Sequence, residues 1–332
     1  MDKKYINNLI RPFINPSNKR AIFQIANTVI PYIVSIIGMY FMILYGVHYL
    51  FVLVASIIPA LFLVRIFILF HDCTHNSFMK SKKAMDVIGT IFGVLVFTPY
   101  KKWKEEHRQH HRTVGNIDKR GVGDVWTMTV AEYNNTSKLG RLGYKLYRNP
   151  LVLFVIGPVY IFLIGQRFPS KRMTKSLWVD LIIHNIGVLS IILVVSFTVG
   201  FKYYLMIQLP IIAISASLGV WIFFVQHQYD DVYWEDTEHW TILDAALKGS
   251  SVYKLPMVLN WFTGSIGYHN IHHLNSKIPN YRLKKLFKTY KEMRESKQIK
   301  LFQSIRLASL FLYDEKTKKL ISYRRYKKLL SV

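Results

Sequence analysis

The 332-residue chain contains twelve histidines, and nine of them fall in four stretches. His71 and His75 lie in HDCTH, His107, His110 and His111 in HRQHH, His227 in VQHQYDD, and His269, His272 and His273 in HNIHH. Neutral imidazole is the commonest protein ligand for redox-active transition metals, and nine rings are too many for one ion. The grouping points to two metals. On a helix, residues i and i+4 share a face, so His71 and His75 can serve one site. The two longer boxes have the spacing i, i+3, i+4. There the first histidine neighbours both later ones, while the adjacent pair diverges by about 100°. Such a fork can feed two neighbouring ions. His48, His184 and His239 stand outside every cluster and read as a short-loop residue, a hydrogen-bonded residue inside a span and a surface residue.

What accompanies the histidines narrows the chemistry. No serine or cysteine nucleophile motif and no paired carboxylate lies with the boxes, which argues against hydrolysis. Structural zinc is satisfied by four ligands and usually recruits cysteine. This chain has a single cysteine, Cys73, which reads as a packing residue and excludes an intramolecular disulfide framework. Iron with oxygen fits better. An alkyl C–H bond resists acid–base attack at neutral pH, whereas iron supplied with O2 and electrons oxidises it.

The elements that must position these rings are apolar. The chain is 51% hydrophobic and 15% aromatic, and its apolar residues are concentrated in blocks, as in an integral membrane protein. Blocks 21–46, 48–70, 181–200 and 203–226 reach the roughly 20 residues that cross a hydrocarbon core, whereas 86–100 and 150–165 are short. Pro31, Pro59 and Pro210 do not veto the long spans, because neighbouring helices satisfy the freed carbonyls. Clusters that meet must lie on one side of the membrane, so the crossings between consecutive clusters are even in number. Therefore 86–100 does not span, 150–165 is interfacial or re-entrant, and 181–200 with 203–226 makes a hairpin. That hairpin delivers His227 to the metal side, which makes it a candidate ligand.

Lys3, Lys4, Arg11, Lys19 and Arg20 precede the first span, and Arg167, Lys171, Arg172 and Lys175 the third, so both flanks and every cluster are expected in the cytoplasm. Arg65, near the inner end of the second span, is placed to snorkel to the headgroups. The first apolar stretch is too long for a signal peptide and reads as an uncleaved span. The expected fold is an all-α integral membrane protein of the plasma membrane. It has four transmembrane helices in two hairpins, re-entrant or interfacial helices, and a cytoplasmic His-rich cap holding two metals. A single domain, 1–332, divides into a cytoplasmic N-terminus 1–20, a first hairpin 21–70 and a cytoplasmic or interfacial region 71–176 with two boxes. A second hairpin 177–226 and a cytoplasmic region 227–332 with the third box and a basic tail complete it.

The formal charge of +25 falls largely in 101–148 and 277–328, beside the spans on the expected inner side. That placement argues against nucleic acid and for anionic headgroups, which attract such segments by roughly 1 kcal/mol per basic residue. An acidic electron-transfer partner could use the same surface.

HDCTH, HRQHH and HNIHH, with the spans before and between them, resemble the membrane fatty acid desaturases over nearly the whole chain. NIDKRGVGDVW, VQHQYDD, GSSVYKLP and WFTGSIGYHNIHHLNSKIPNY resemble in particular the bacterial acyl-lipid enzymes acting on membrane phospholipids, including the Δ5 type. The resemblance implies a di-iron centre that uses O2 and two electrons to make a cis double bond in a saturated acyl chain. It also implies that the box histidines and His227 are the iron ligands. The first box is H-x3-H, not the H-x4-H of acyl-CoA enzymes, and the third begins with His269, not the glutamine of front-end desaturases, which tilts the substrate toward a lipid-esterified chain. No HPGG haem motif occurs, so a separate donor, ferredoxin or flavodoxin, is implied.

A metal-bound imidazole usually passes its other N–H to a carboxylate or carbonyl, which makes Asp72, Asp124, Asp230 and Asp231 candidates for orienting the rings. Trp103, Trp126, Trp261 and Tyr268 are candidates for the wall of an acyl channel, or equally for an interfacial aromatic belt. Membrane hydroxylases and ketolases use a similar histidine set and form a rival reading. A metal transporter is another, although its ligands would line the membrane interior, where only His184 lies deep in a span.

Overall fold

The structure is a computed structural model and describes residues 3–121, 123–170 and 173–331. Lys171 and Arg172, two of the charges used to orient the third span, lie outside the described residues. Helices α1 (Asn18–Leu44) and α2 (Tyr49–Thr74) make the first pair of long apolar helices. In the most apolar stretch of α2, 61% of residues are buried within the protein, against 17% in α1. Helix α2 is therefore the central post, packed by Ile66, Leu69, Phe70 and Cys73 into the main core, and α1 is an outer layer. Ile22, Phe23, Ile30 and Val34 of α1 are exposed, an outward apolar surface suited to lipid.

Helix α3 (Lys82–Leu95) and helix α4 (Tyr100–Thr113) meet at a 97° corner. The turn closes with the Thr98 amide donating to the Gly93 carbonyl at 2.8 Å. A Cβ on Gly93 would lie 2.6 Å from the Thr98 carbonyl oxygen, so the corner requires glycine. The first turn of α4 has no capping side chain of its own, because Pro99 stands at its N-cap. Asp180, far along the chain, fills that role: its Oδ2 accepts from the Lys101 and Lys102 amides at 2.8 and 3.1 Å.

Helix α5 (Lys138–Tyr147) is followed by a segment, Val152–Arg167, bent 61° from it. That segment holds a turn of π-helix and helix α6 (Gly157–Leu163), and it occupies the short block 150–165. Helices α7 (Lys175–Val195) and α8 (Phe201–His227) belong to one apolar helical stretch of 53 residues, interrupted at Gly200, whose φ is +101°. Both limbs reach the 14-residue helix α4: Asp180 holds its first turn, and the His227 ring lies 4.8 Å from that of His110. A straight helix from Asp180 to His227 would be about 70 Å long and α4 only about 20 Å, so the chain doubles back at Gly200. Three helical stretches are long and apolar enough to cross a membrane, or five if each bent pair counts as one.

The remainder is not all α. Short strands flank helix α9 (Met257–Phe262) and helix α10 (His269–Leu274). Strand β1 (Val252–Lys254), just before α9, pairs in parallel with β2 (Gln298–Lys300). Strands β3 (Leu310–Asp314) and β4 (Lys319–Ser322) form a hairpin that leads into helix α11 (Tyr323–Leu329). Short apolar runs with the β-forming residues Phe311, Tyr313 and Ile321 in LFLYD and KLIS, around the polar turn EKTK, account for the hairpin. It braces the loop after α4, because the Tyr313 amide donates to the Met128 carbonyl.

Two basic residues point elsewhere than expected. Arg65 does not snorkel to the headgroups: its Nε donates to Thr28 Oγ1 at 3.0 Å, its guanidinium binds the Trp261 carbonyl, and it stacks 4.0 Å from the Trp261 ring. Acceptors from two distant segments hold it inside the protein. Arg167 likewise turns inward, to the Phe97 carbonyl and the His184 ring.

Candidate metal centre

Nine histidines converge in two adjoining groups. His71, His75, His107, His111 and His272 form the first, and His110, His227, His269 and His273 the second; within each group the ligand atoms lie within 4.8 Å of one another. Helix periodicity does the sorting. On α4 the i, i+4 pair His107 and His111 enters the first group and His110 the second, while on α10 the pair His269 and His273 enters the second group and His272 the first. The two forks therefore interlock, and the His111 and His273 rings stack 4.1 Å apart at the junction. His71 sits in the last turn of α2, with His75 at its C-cap, and His227 ends α8.

The inward atoms are Nε2. His71 and His107 approach through Nε2 at 3.0 Å, His107 and His111 at 3.1 Å, and His111 and His272 at 2.9 Å. In the second group His227 and His273 approach the Nε2 of His269 at 2.9 and 3.0 Å. Outer contacts fix the tautomers. His110 Nδ1 lies 2.6 Å from Asp124 Oδ1 and His227 Nδ1 3.2 Å from the Gly249 carbonyl, so each donates outward and turns a bare Nε2 lone pair inward. The Nε2 atoms of His75 and His110 are buried and have no hydrogen-bond partner. Converging lone pairs with buried, unpartnered nitrogens fit a cation and disfavour an empty polar core. Burial first, then neighbouring charge, holds His75, His269, His272 and His273 well below the usual imidazole range, which keeps them neutral as ligands. A donor set of nitrogens alone suits iron, copper or zinc and disfavours magnesium or calcium.

The carboxylates divide. Asp124 meets His110 as described, and Asp72 lies 3.4 Å from His71 Nδ1 while its other oxygen accepts the Asn280 amide at 2.7 Å. Asp230 and Asp231 do not meet the rings; they turn outward to Arg306 and Lys297, each at 2.8 Å. They follow the end of α8, where the chain has left the histidine face. The expected neutral readings also find their places: His48 caps a helix, His239 pairs with Asp236 at the surface, and Cys73 packs in the core. Changing Asp124 to asparagine keeps an acceptor for His110 but removes the charge. It should weaken metal binding at the second group by about ten- to a hundredfold, which titration of metal-stripped protein would measure.

An apolar cavity of about 390 Å³ has His71, His107 and His269 in its wall, so it opens on both groups. It runs along one face of α8, past Gln226, Phe223, Gly219, Ala216 and Ile212, between that helix and Leu63, Val64 and Phe67 of α2. Of the four aromatics expected there, only Trp103 lines it, stacked 4.3 Å from the His107 ring. Trp126 is exposed, Trp261 lies under Arg65, and Tyr268 caps α10 against Phe287. Polar wall residues that escaped the sequence reading include Glu106 and Gln166, linked through Lys102, whose Nζ donates to Gln166 at 2.9 Å. Glu106 was detectable, since it lies on α4 three residues after Trp103 and four before His110. The Gly249 carbonyl carries no side-chain signal at all.

The sequence model of the fatty acid desaturase family matches residues 47–304. The chain belongs to the fatty acid desaturase family. Its relatives include a fatty acid desaturase of Bacillus subtilis, 40% identical over 327 residues, which cover 98% of this chain and 92% of that one. An sn-1 acyl-lipid omega-3 desaturase (ferredoxin) of Nostoc is 29% identical over 66% of this chain and 62% of its own length. An sn-1 oleoyl-lipid 12-desaturase of Anabaena variabilis is 24% identical over 72% and 68%. This desaturase is thus an oxidoreductase, and its apolar helices are those of a membrane protein.

Proposed function

We propose that the protein is an O2-dependent desaturase of membrane phospholipids, with two iron ions held by the nine histidines. In the overall change an acyl CH2–CH2 pair becomes a cis CH=CH, and O2 is reduced to two waters with two electrons and two protons from outside. The observation that carries this reading is an apolar cavity with histidines of both groups in its wall. Iron bound there supplies the oxidising power that an alkyl C–H bond demands. The chain's own residues do the rest. Asp124 and the Gly249 carbonyl aim His110 and His227 inward, Trp103 holds His107 in place, and the walls from α2 and α8 exclude water and lay an alkyl chain past the rings.

The names of the Nostoc and Anabaena relatives support a lipid-esterified substrate, and the first of these supports ferredoxin as donor, with flavodoxin as the chemically equivalent choice. The motif resemblance supports Δ5 as the position. The doubling back at Gly200 supports four crossings in two hairpins, and the basic flanks support a plasma-membrane protein whose metal site faces the cytoplasm. The whole of 1–332 then acts as one domain.

Expression in a host without desaturase activity, followed by gas chromatography and mass spectrometry of its lipids, tests this. New cis unsaturation is expected with the wild type and none with His111→Ala. Lipid profiles identical to the empty host in both cases would reject the reading, and labelled oxygen from O2 in the product would replace it with a hydroxylase.

A further inference from the structure

Helix α5 presents an outer face that the desaturase reading leaves unused. Around its axis, at 100° per residue, three strips separate. Tyr144 faces inward, as does Arg148 at the helix end, whose guanidinium donates to the Leu310 carbonyl at 2.6 Å. Leu139, Leu142 and Leu146 point away from the protein and are 78%, 53% and 57% exposed. Lys138, Arg141 and Lys145 form the strip beside them. Exposed Leu151, Ile156 and Tyr160 extend the apolar surface into the segment that follows.

Helix α11 brings more charge to the same place. Lys145 Nζ and Lys327 Nζ lie 4.8 and 5.2 Å from the centroid of the Tyr323 ring, so two ammonium groups from distant parts of the chain converge on one ring. Among the described residues, no carboxylate is within ion-pair distance of Lys138, Lys145, Arg324, Arg325, Lys327 or Lys328. Uncompensated cations beside a strip of leucines match a helix lying in a bilayer interface, its leucines in the acyl region and its ammonium groups at the phosphates. The same stretch of chain also walls the cavity, through Tyr147, Val152, Leu153, Gly157 and Ile161. A headgroup held on this face therefore lies beside the space its own acyl chain would occupy.

We infer that the α5–α11 face docks anionic phospholipid and biases the cavity toward acyl chains of lipids with a negatively charged headgroup. The inference rests on the desaturase reading for its second half only. The test uses the iron-loaded full-length protein with its electron donor in nanodiscs of equal phosphatidylglycerol and phosphatidylcholine, their acyl chains isotopically distinct. Product from phosphatidylglycerol should exceed product from phosphatidylcholine about fivefold. The ratio should approach one in the triple variant Lys138→Gln, Lys145→Gln, Lys327→Gln and persist in Lys145→Arg. Native mass spectrometry of each purified protein counts the retained lipids without turnover, and thermal melting verifies that the triple variant is folded. Equal retention and equal turnover of both lipids by the wild type, as a protein-binding face would give, overturns the inference. So does a preference unchanged in the folded triple variant. Selective retention of phosphatidylglycerol without desaturation of either lipid upholds the docking face and rejects the desaturase reading instead.

Discussion

Alanine at His272 and alanine at His273 should each abolish desaturation, by more than about a hundredfold, yet deplete different metal ions. The two residues are adjacent in sequence, but His272 belongs to the group of five and His273 to the group of four. Their rings diverge because α10 turns about 100° between them. Losing His272 leaves four imidazoles in the first group, whereas losing His273 leaves three in the second. Bound iron should therefore fall further in His273→Ala, toward one ion per chain, and less in His272→Ala, as elemental analysis of the purified proteins would measure. Alanine is the best helix former, so α10 itself should persist, and circular dichroism checks that. Two ions retained in both variants would mean that these groups are not the two sites.

Helix periodicity made most of this centre legible. The i, i+3, i+4 spacing states how a helix must divide its rings, and it requires no knowledge of what lies opposite. An equally general constraint bears on topology, because clusters meet only on one side of a membrane. The chain reverses at Gly200 and turns a 97° corner at Gly93, and three to five of its helical stretches are long and apolar enough to cross a membrane. Sequence gives no comparable rule for side chains whose type serves two ends. Asp124 and Asp230 look alike as candidates, but Asp124 lies on a loop pressed against α4, while Asp230 faces Arg306. Tryptophan is no better a guide, since Trp103 and Trp261 each pack on a phenylalanine of α2 and only their placement on α4 or α9 separates their roles. Arg65 illustrates the same limit, because its acceptors, Thr28 and the Trp261 carbonyl, come from distant segments. The short strands were readable from LFLYD and KLIS but were overshadowed by the helical pattern.

Leucine in place of Gly219 should block the cavity without harming the fold. Residues 212, 216, 219, 223 and 226 recur at helical spacing and put one face of α8 along the cavity, with Gly219 midway. A Cβ built on Gly219 meets nothing within 4 Å, so a larger side chain starts into the open space that an alkyl chain needs. Glycine inside a helix costs up to about 1 kcal/mol relative to good helix formers, so melting should be unchanged or slightly higher. Desaturation of full-length acyl chains should fall roughly ten- to two-hundredfold, the range that misfit in an apolar pocket produces, while bound iron stays at the wild-type level. Gly38→Leu is the matched control. Gly38 also has nothing within 4 Å of a built Cβ, but it lies exposed on the outer helix α1, so its variant should keep both iron and activity. Lost turnover with iron and stability intact in Gly219→Leu, set beside an active Gly38→Leu, would assign the cavity to the acyl chain. Equal activity in the two variants would place the substrate elsewhere.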